Sequence, residues 1–174
     1  MAGAAWKQIG VCPDFHCDER LWHAGLSEDG NKCFISGFED HAYIVWDVHH
    51  NQVLWKDDGY DGDSNVPPLE EWIDSDGFIN ISSGPAEGRY QLFGMEHNNP
   101  KTEVASTDLS LELDQSAECV VVRNRTTREV VARLKYEAFS GDWASASFSE
   151  DGSTIAVIEP YNVTFFGRER TDAG

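Results

Sequence analysis

Trp22-His-Ala-Gly-Leu-Ser27-Glu28-Asp29-Gly30 is followed by Asn-Lys-Cys-Phe-Ile-Ser, and Trp143-Ala-Ser-Ala-Ser-Phe-Ser149-Glu150-Asp151-Gly152 is followed by Ser-Thr-Ile-Ala-Val-Ile. The two units share an order of parts: an aromatic residue, a strand, an Asp-Gly turn, then a second strand rich in β-branched and aromatic side chains. Asp-Gly suits a tight reversal because glycine accepts positive φ without a Cβ clash. A third copy, Trp72-Ile-Asp-Ser75-Asp76-Gly77 followed by Phe-Ile-Asn-Ile-Ser, keeps the same order with a shorter spacer. A degenerate fourth runs through Leu109-Ser-Leu-Glu-Leu-Asp114-Gln-Ser-Ala-Glu118-Cys-Val-Val-Val, which places reversals near residues 30, 77, 115 and 152. Self-similarity at a spacing near 40 residues is the mark of stacked supersecondary units.

Outward from these turns, helical periodicity is nearly absent and short Val-, Ile-, Phe- and Tyr-rich runs alternate with Gly, Asp and Asn. Strands are expected at 32–38, 42–48, 52–56, 77–82, 89–95, 109–113, 119–124, 129–136, 144–149, 154–158 and 162–166. Their short connections imply antiparallel hairpins, since parallel strands need long crossovers. Pro67-Pro68 marks the one long loop, within 57–71. The fold class expected is all-β with no helix longer than two turns.

The segment from Ser27 through Tyr43-Ile-Val-Trp46-Asp47-Val48-His-His-Asn-Gln-Val53-Leu54-Trp55 resembles a WD-repeat blade, and 119–134 resembles the third and fourth strands of one. The family's Ser-Pro-Asp-Gly turn is matched at 27–30 and 149–152, and its Trp-Asp dipeptide at Trp46-Asp47 alone; its Gly-His dipeptide is missing. The resemblance covers roughly 120 residues and implies antiparallel four-stranded propeller-like blades, carrying no specific chemistry. A propeller closes with about four to eight blades of some 40 residues. The 174 residues therefore suit one β domain, 1–174, of about four degenerate repeats. A small propeller, a half-ring completed by a second copy and an open β-sandwich are the three architectures open to it. The arrangement favoured is a monomeric one in which 6–11 pairs with 162–166 and closes the sheet through the termini.

The formal charge is −18, with 31 Asp plus Glu against 13 Lys plus Arg. Such a surface repels phosphates and anionic lipid, so neither nucleic acid nor membrane is an expected partner. No apolar run reaches the roughly 20 residues a membrane span needs, and the first residues lack a basic region followed by an apolar stretch. Cytoplasmic residence is the expectation, and on it the sequons at Asn80, Asn124 and Asn162 are coincidental.

Catalytic signatures are lacking: there is no Gly-x-Ser-x-Gly elbow, phosphate-binding loop, dinucleotide fingerprint or His-Glu-x-x-His run. His49-His50 reads as a hairpin tip, and His41, beside Glu39-Asp40, as a turn residue. Cys12, His16, Cys17, His23 and Cys33 contain enough soft ligands for zinc, but the second close pair of a tetrahedral site is missing. Buried thiols are the simpler reading. Asp61, Asp63 and Asn65 alternate as calcium ligands do, yet Val66 stands where the loop glycine belongs and Trp72 where the bidentate Glu belongs. No cofactor and no metal are expected.

From Asp57 to Gly88 there are nine acidic residues and no Lys or Arg. Aromatic residues interleaved in a charged rim are what protein interfaces use as anchors. The expected partner-binding residues are Asp57, Asp58, Tyr60, Asp61, Asp63, Glu70, Glu71, Trp72, Asp74 and Asp76. The function expected is that of a non-catalytic acidic inhibitor or immunity-type protein, monomeric or homodimeric, that blocks a basic protein such as a toxin. A WD-repeat-type scaffold is the first alternative, and an unrecognised small hydrolase or metal-binding protein the second.

Overall fold

The computed structural model describes residues 5–13, 20–37, 43–57, 69–95 and 99–169. The chain is all-β and its strands pair antiparallel throughout. The strands are β1 (Trp6–Pro13), β2 (Leu21–Ser27), β3 (Lys32–Gly37), β4 (Tyr43–Asp47), β5 (Gln52–Asp57), β6 (Phe78–Ile81), β7 (Gly88–Gly94), β8 (Glu103–Val104), β9 (Leu109–Asp114), β10 (Cys119–Asn124), β11 (Val130–Lys135), β12 (Ser145–Phe148), β13 (Thr154–Glu159) and β14 (Asn162–Arg168). A four-residue helix, α1 (Leu69–Trp72), and a 3-10 turn at Ala105–Thr107 are the helical pieces among the described residues. Each is well under two turns.

Three sheets result, ordered β5-β4-β3-β2-β7-β6, β1-β14-β13-β12 and β11-β10-β9-β8. The second lies between the other two. Its strand β13 is buried at every position because alternate residues point to opposite cores. Ala156 and Ile158, with Val163 and Phe165 of β14, pack against Ala24, Leu26, Cys33, Ile35, Ile44 and Trp46 of the first sheet. Ile155, Val157 and Phe166 pack against Leu111, Val120, Val122 and Leu134 of the third. Stacked antiparallel sheets of this kind are compatible with a propeller-like fold or a sandwich. The far face of the first sheet carries a separate core of Phe34, Tyr43, Val45, Ile79, Tyr90 and Leu92, capped by Leu69 of α1.

The two terminal strands pair with each other in the middle sheet, as expected from the sequence, and β1 forms one of that sheet's edges. β1 pairs with β14 from Trp6 opposite Arg168 to Pro13 opposite Asn162, with one irregularity between Gln8 and Gly10. Ile9 and Cys12 thereby enter the first core and Trp6 the second.

The two matching turns fold alike, atom for atom. In one, Ser27 Oγ donates to Asp29 Oδ1 (2.8 Å) and accepts from the Lys32 amide (3.0 Å), and the Asn31 amide donates to Asp29 Oδ1 (3.0 Å). In the other, Ser149 Oγ donates to Asp151 Oδ1 (2.7 Å) and accepts from the Thr154 amide (3.1 Å), and the Ser153 amide donates to Asp151 Oδ1 (2.9 Å). Gly30 and Gly152 share φ = +71°. The turns also touch: the Asp151 amide donates to the Glu28 carbonyl (3.2 Å) and Ser153 Oγ to the Asp29 carbonyl (3.2 Å).

Three expectations are corrected. Asp76-Gly77 does not join two strands; it links α1 to β6, and the β6–β7 hairpin extends the first sheet by pairing with β2 instead of founding a sheet of its own. The expected run of four-stranded units is thus a six-stranded sheet and two four-stranded ones. β2, which the repeat order implied, and the two-residue β8 lie outside the expected strand ranges. The repeat tryptophans Trp22 and Trp143, which their likeness to one another would put in the core, are half-buried, Trp143 packing against the core between the first and middle sheets.

Candidate protein-binding face

The acidic block begins on β5, an edge strand of the first sheet, where Asp57 pairs in register with Tyr43. Asp58, Tyr60, Asp61, Asp63 and Asn65 lie outside the described residues, so neither the loop half of the expected interface nor the calcium pattern has a geometry here. The chain is described again at α1. Leu-Glu-Glu-Trp directly after Pro67-Pro68 contains good helix formers, and Leu69 anchors the turn by inserting into the outer core of the first sheet.

Trp72 is the pivot of this segment. Its ring is half-buried and meets Phe34, Tyr43 and Trp55 edge to face, with centroid separations of 5.4, 5.6 and 6.3 Å. Such pairs contribute about 0.5–1.5 kcal/mol each beyond area burial. The indole N–H donates to the Asn80 carbonyl (3.2 Å), which satisfies its polar end. Trp72 therefore fastens the acidic segment to β3, β4 and β5, and its remaining surface is available to a partner.

Asp74 organises the turn that leads into β6. Its Oδ1 accepts the amides of Asp76 (2.9 Å) and Phe78 (3.0 Å), and its Oδ2 accepts Asn80 Nδ2 (3.0 Å), with Arg89 Nη2 at 3.9 Å. The Phe78 amide first, then Asn80, the Asp76 amide and the Arg89 charge hold its carboxyl below the usual range. Asp74 shapes the turn into β6. The carboxylates it leaves at the surface are Glu70, Glu71 and Asp76: all three residues are exposed, and among the described residues their side chains have no hydrogen bond or ion pair. Glu103 and Glu169, by contrast, pair with Arg125 (3.1 Å) and Lys7 (3.1 Å).

The other sequence candidates resolve as structural parts. His49 and His50 occupy the β4–β5 turn, their amides donating to Asp47 Oδ1 (3.1 and 3.0 Å), while His50 Nδ1 meets Asp47 Oδ2 (2.8 Å). The Trp46-Asp47 pair thus divides its labour: Trp46 enters the core and Asp47 organises the hairpin. Cys12, Cys33 and Cys119 are buried, and burial pushes the Cys33 thiol up to about 12. Among the described residues no three His, Cys, Asp or Glu side chains cluster as metal ligands; His16 and Cys17 lie outside them. Asn162 is buried, so its sequon is closed to modification in the folded state.

One feature escaped the sequence reading. A cavity of about 300 Å³ opens beside the twin turns, lined by Leu26, Glu28, Phe78, Arg89, Gln91, Phe148 and Glu150. Its signal in the sequence is that Glu28 and Glu150 hold the same place in the repeated turn. No family model matches the chain, and no curated protein matches it.

Proposed function

We propose that this protein is a non-catalytic protein-binding module of WD-repeat type whose acidic face occupies the basic surface of a protein partner, in the manner of an inhibitor or immunity protein. The observation that carries the reading is the mounting of Glu70, Glu71 and Asp76. Three exposed carboxylates, unpaired among the described residues, sit on a segment pinned by Leu69 and Trp72 to an aromatic core, within a sequence block that holds no Lys or Arg. A carboxylate held in place before binding loses less conformational freedom on docking than one on a loose chain. The −18 net charge adds long-range steering toward a cation-rich surface. Asp57, Asp58, Tyr60, Asp61 and Asp63 belong to the same acidic block of the sequence.

The test starts from co-purification with mass spectrometry to identify the partner, followed by affinity measurements at low and high salt. Glu70→Gln, Glu71→Gln and Asp76→Asn combined should weaken binding chiefly through a slower association rate, and the difference from the parent should shrink as salt rises. Glu103→Gln and Glu169→Gln, which remove carboxylates already paired internally, should do little. Parent-like binding of the triple variant at every salt concentration would leave the acidic face as a solubility feature only.

A further inference from the structure

We propose that the cavity between the twin turns and the β6–β7 hairpin receives a single arginine side chain of the protein partner. The inference rests on the protein-binding reading above and adds the residue type that the partner must present.

The first argument is charge. Two cations border the cavity and both are engaged. Arg89 lies with Cζ 3.6 Å from the Phe78 ring centroid and Nη2 3.9 Å from Asp74, and Lys101 Nζ is 2.8 Å from Glu150 Oε2. Glu28 has no side-chain hydrogen bond or ion pair among the described residues, so the lining carries one uncompensated negative charge. Glu28 is also held firmly, because its backbone carbonyl accepts the Asp151 amide of the companion turn. That contact brings the two repeat-related carboxylates, Glu28 and Glu150, to one opening.

The second argument is size and lining. About 300 Å³ is the lower limit of small-molecule pockets, enough for one long side chain. Leu26 and Phe148, both buried, supply an apolar floor for methylene groups, while the carboxylates stand on exposed turn residues. A long cationic side chain matches that division, with its stem buried and its head at the rim. Arginine fits better than lysine because its planar fork can meet a carboxylate with two parallel hydrogen bonds.

The test is an amide-resolved NMR titration with N-acetyl-arginine amide, using N-acetyl-norleucine amide as the uncharged probe of similar length. The arginine probe should shift the amides of Leu26, Glu28, Phe78, Gln91 and Glu150 to saturation, and the norleucine probe should not. Glu28→Gln should weaken the arginine probe about fivefold, and Glu28→Lys should abolish its binding. The Glu70→Gln/Glu71→Gln variant should bind it as the parent does. Equal response to both probes, shifts confined to 69–76, or unchanged affinity in Glu28→Gln would overturn the proposal. With the co-purified partner the two readings separate. Loss on changing Glu70, Glu71 and Asp76 with no loss in Glu28→Gln removes the cavity and keeps the acidic face. The opposite pattern removes the acidic face and keeps the cavity.

Discussion

Three turn glycines with positive φ form a graded series that tests the contact between the twin turns. Gly77 has φ = +87° and nothing within 4 Å of a built Cβ, so Gly77→Ala carries backbone strain alone, about 1–2 kcal/mol. At Gly152, φ +71°, the added methyl would lie 3.1 Å from Thr107 Cγ2 and Val104 Cγ1, ends of side chains that can give a few tenths of an ångström; about 2 kcal/mol in total is expected. At Gly30, also φ +71°, it would lie 2.6 Å from Thr154 Cβ and 3.0 Å from Ser149 Oγ. Thr154 is buried, β-branched and fixed by its own amide's bond to Ser149, so it has nowhere to move. Overpacking adds about 1–3 kcal/mol to the strain, giving about 3–4 kcal/mol for Gly30→Ala. Urea unfolding followed by tryptophan fluorescence measures the series. In a chain of this size 1 kcal/mol corresponds to about 2–4 °C in Tm, so the difference between Gly77→Ala and Gly30→Ala is readable by calorimetry as well. Equal losses at Gly30 and Gly77 would mean that the turns do not touch, and the stacking of the first and middle sheets would fall with them.

Trp46→Ala, at a residue 9% exposed within the core between the first and middle sheets, should cost about 3–5 kcal/mol by the same urea measurement; a cost near zero would remove Trp46 from the core. In a Cys17→Ser variant, a disulfide reagent at pH 8 should find no fast thiol in the native protein and three after denaturation, since Cys12, Cys33 and Cys119 are all buried. Asp47 has a lowered pKa: partial burial pushes it up, but His50 and the His49 and His50 amides more than offset this. Its contribution is therefore fully present above the unfolded value near 3.9 and is lost as pH falls through the folded value, so the stability deficit of Asp47→Asn relative to the parent should shrink below about pH 4. Glu159 runs the other way. Burial raises its pKa despite the Tyr161, Phe139, Ser140 and Asn162 amides that point at it, so the parent loses stability relative to Glu159→Gln as pH rises through the raised value. A parent-minus-variant difference independent of pH would refute either assignment.

Strands were legible wherever β-branched and aromatic residues cluster, because those side chains fit a pleated, half-buried surface. Cys119–Asn124 has the expected bounds, and the pairing of the termini followed from the need to cover the exposed edge of an unclosed stack. β2 was not read as a strand in its own right because His23, Ala24 and Gly25 carry little β preference; its one signal was the likeness of its unit to 143–149. The Asp76-Gly77 turn shows why local signals run out. Glycine at positive φ serves a helix-to-strand link as well as a hairpin, and the difference lies in the partner β6 and β7 find on β2. The acidic and aromatic interleaving of 57–88 was visible directly, but the split of duties within it was not. Asp74 bonds to its own turn, at Asp76, Phe78 and Asn80, whereas Trp72 packs on Phe34, Tyr43 and Trp55, partners that no residue near it in sequence announces.

Position in the stack bears on how the proposed interface would work. The middle sheet is covered on both faces, so its surface is spent on cohesion. The third sheet carries Arg123, Arg125, Arg128, Arg133 and Lys135 on β10, β11 and their turn, against Glu103, Asp108, Glu112, Asp114, Glu118, Glu129 and Glu137 nearby. Arg123 and Arg125 are paired with Glu112 and Glu103. Charge there is nearly balanced, whereas the sequence block 57–88 has nine carboxylates and no Lys or Arg. Its described carboxylates on α1 and the turn into β6 stand by the outer core of the first sheet, away from the mixed charges of the third. A cationic partner approaching from solution would be drawn to the face where α1 stands, before any contact forms. Alignment by a field extending about 8–10 Å at ordinary salt is weak at high salt, so loss of orientation should appear as a fall in association rate with the dissociation rate unchanged. Moving the charge, by Glu70→Lys and Glu71→Lys together with Arg133→Glu and Lys135→Glu, keeps the total at −18 and levels the asymmetry. On the proposed reading this variant associates more slowly than the parent at low salt; an unchanged rate would show that total charge, and not its placement on the first sheet, governs the encounter.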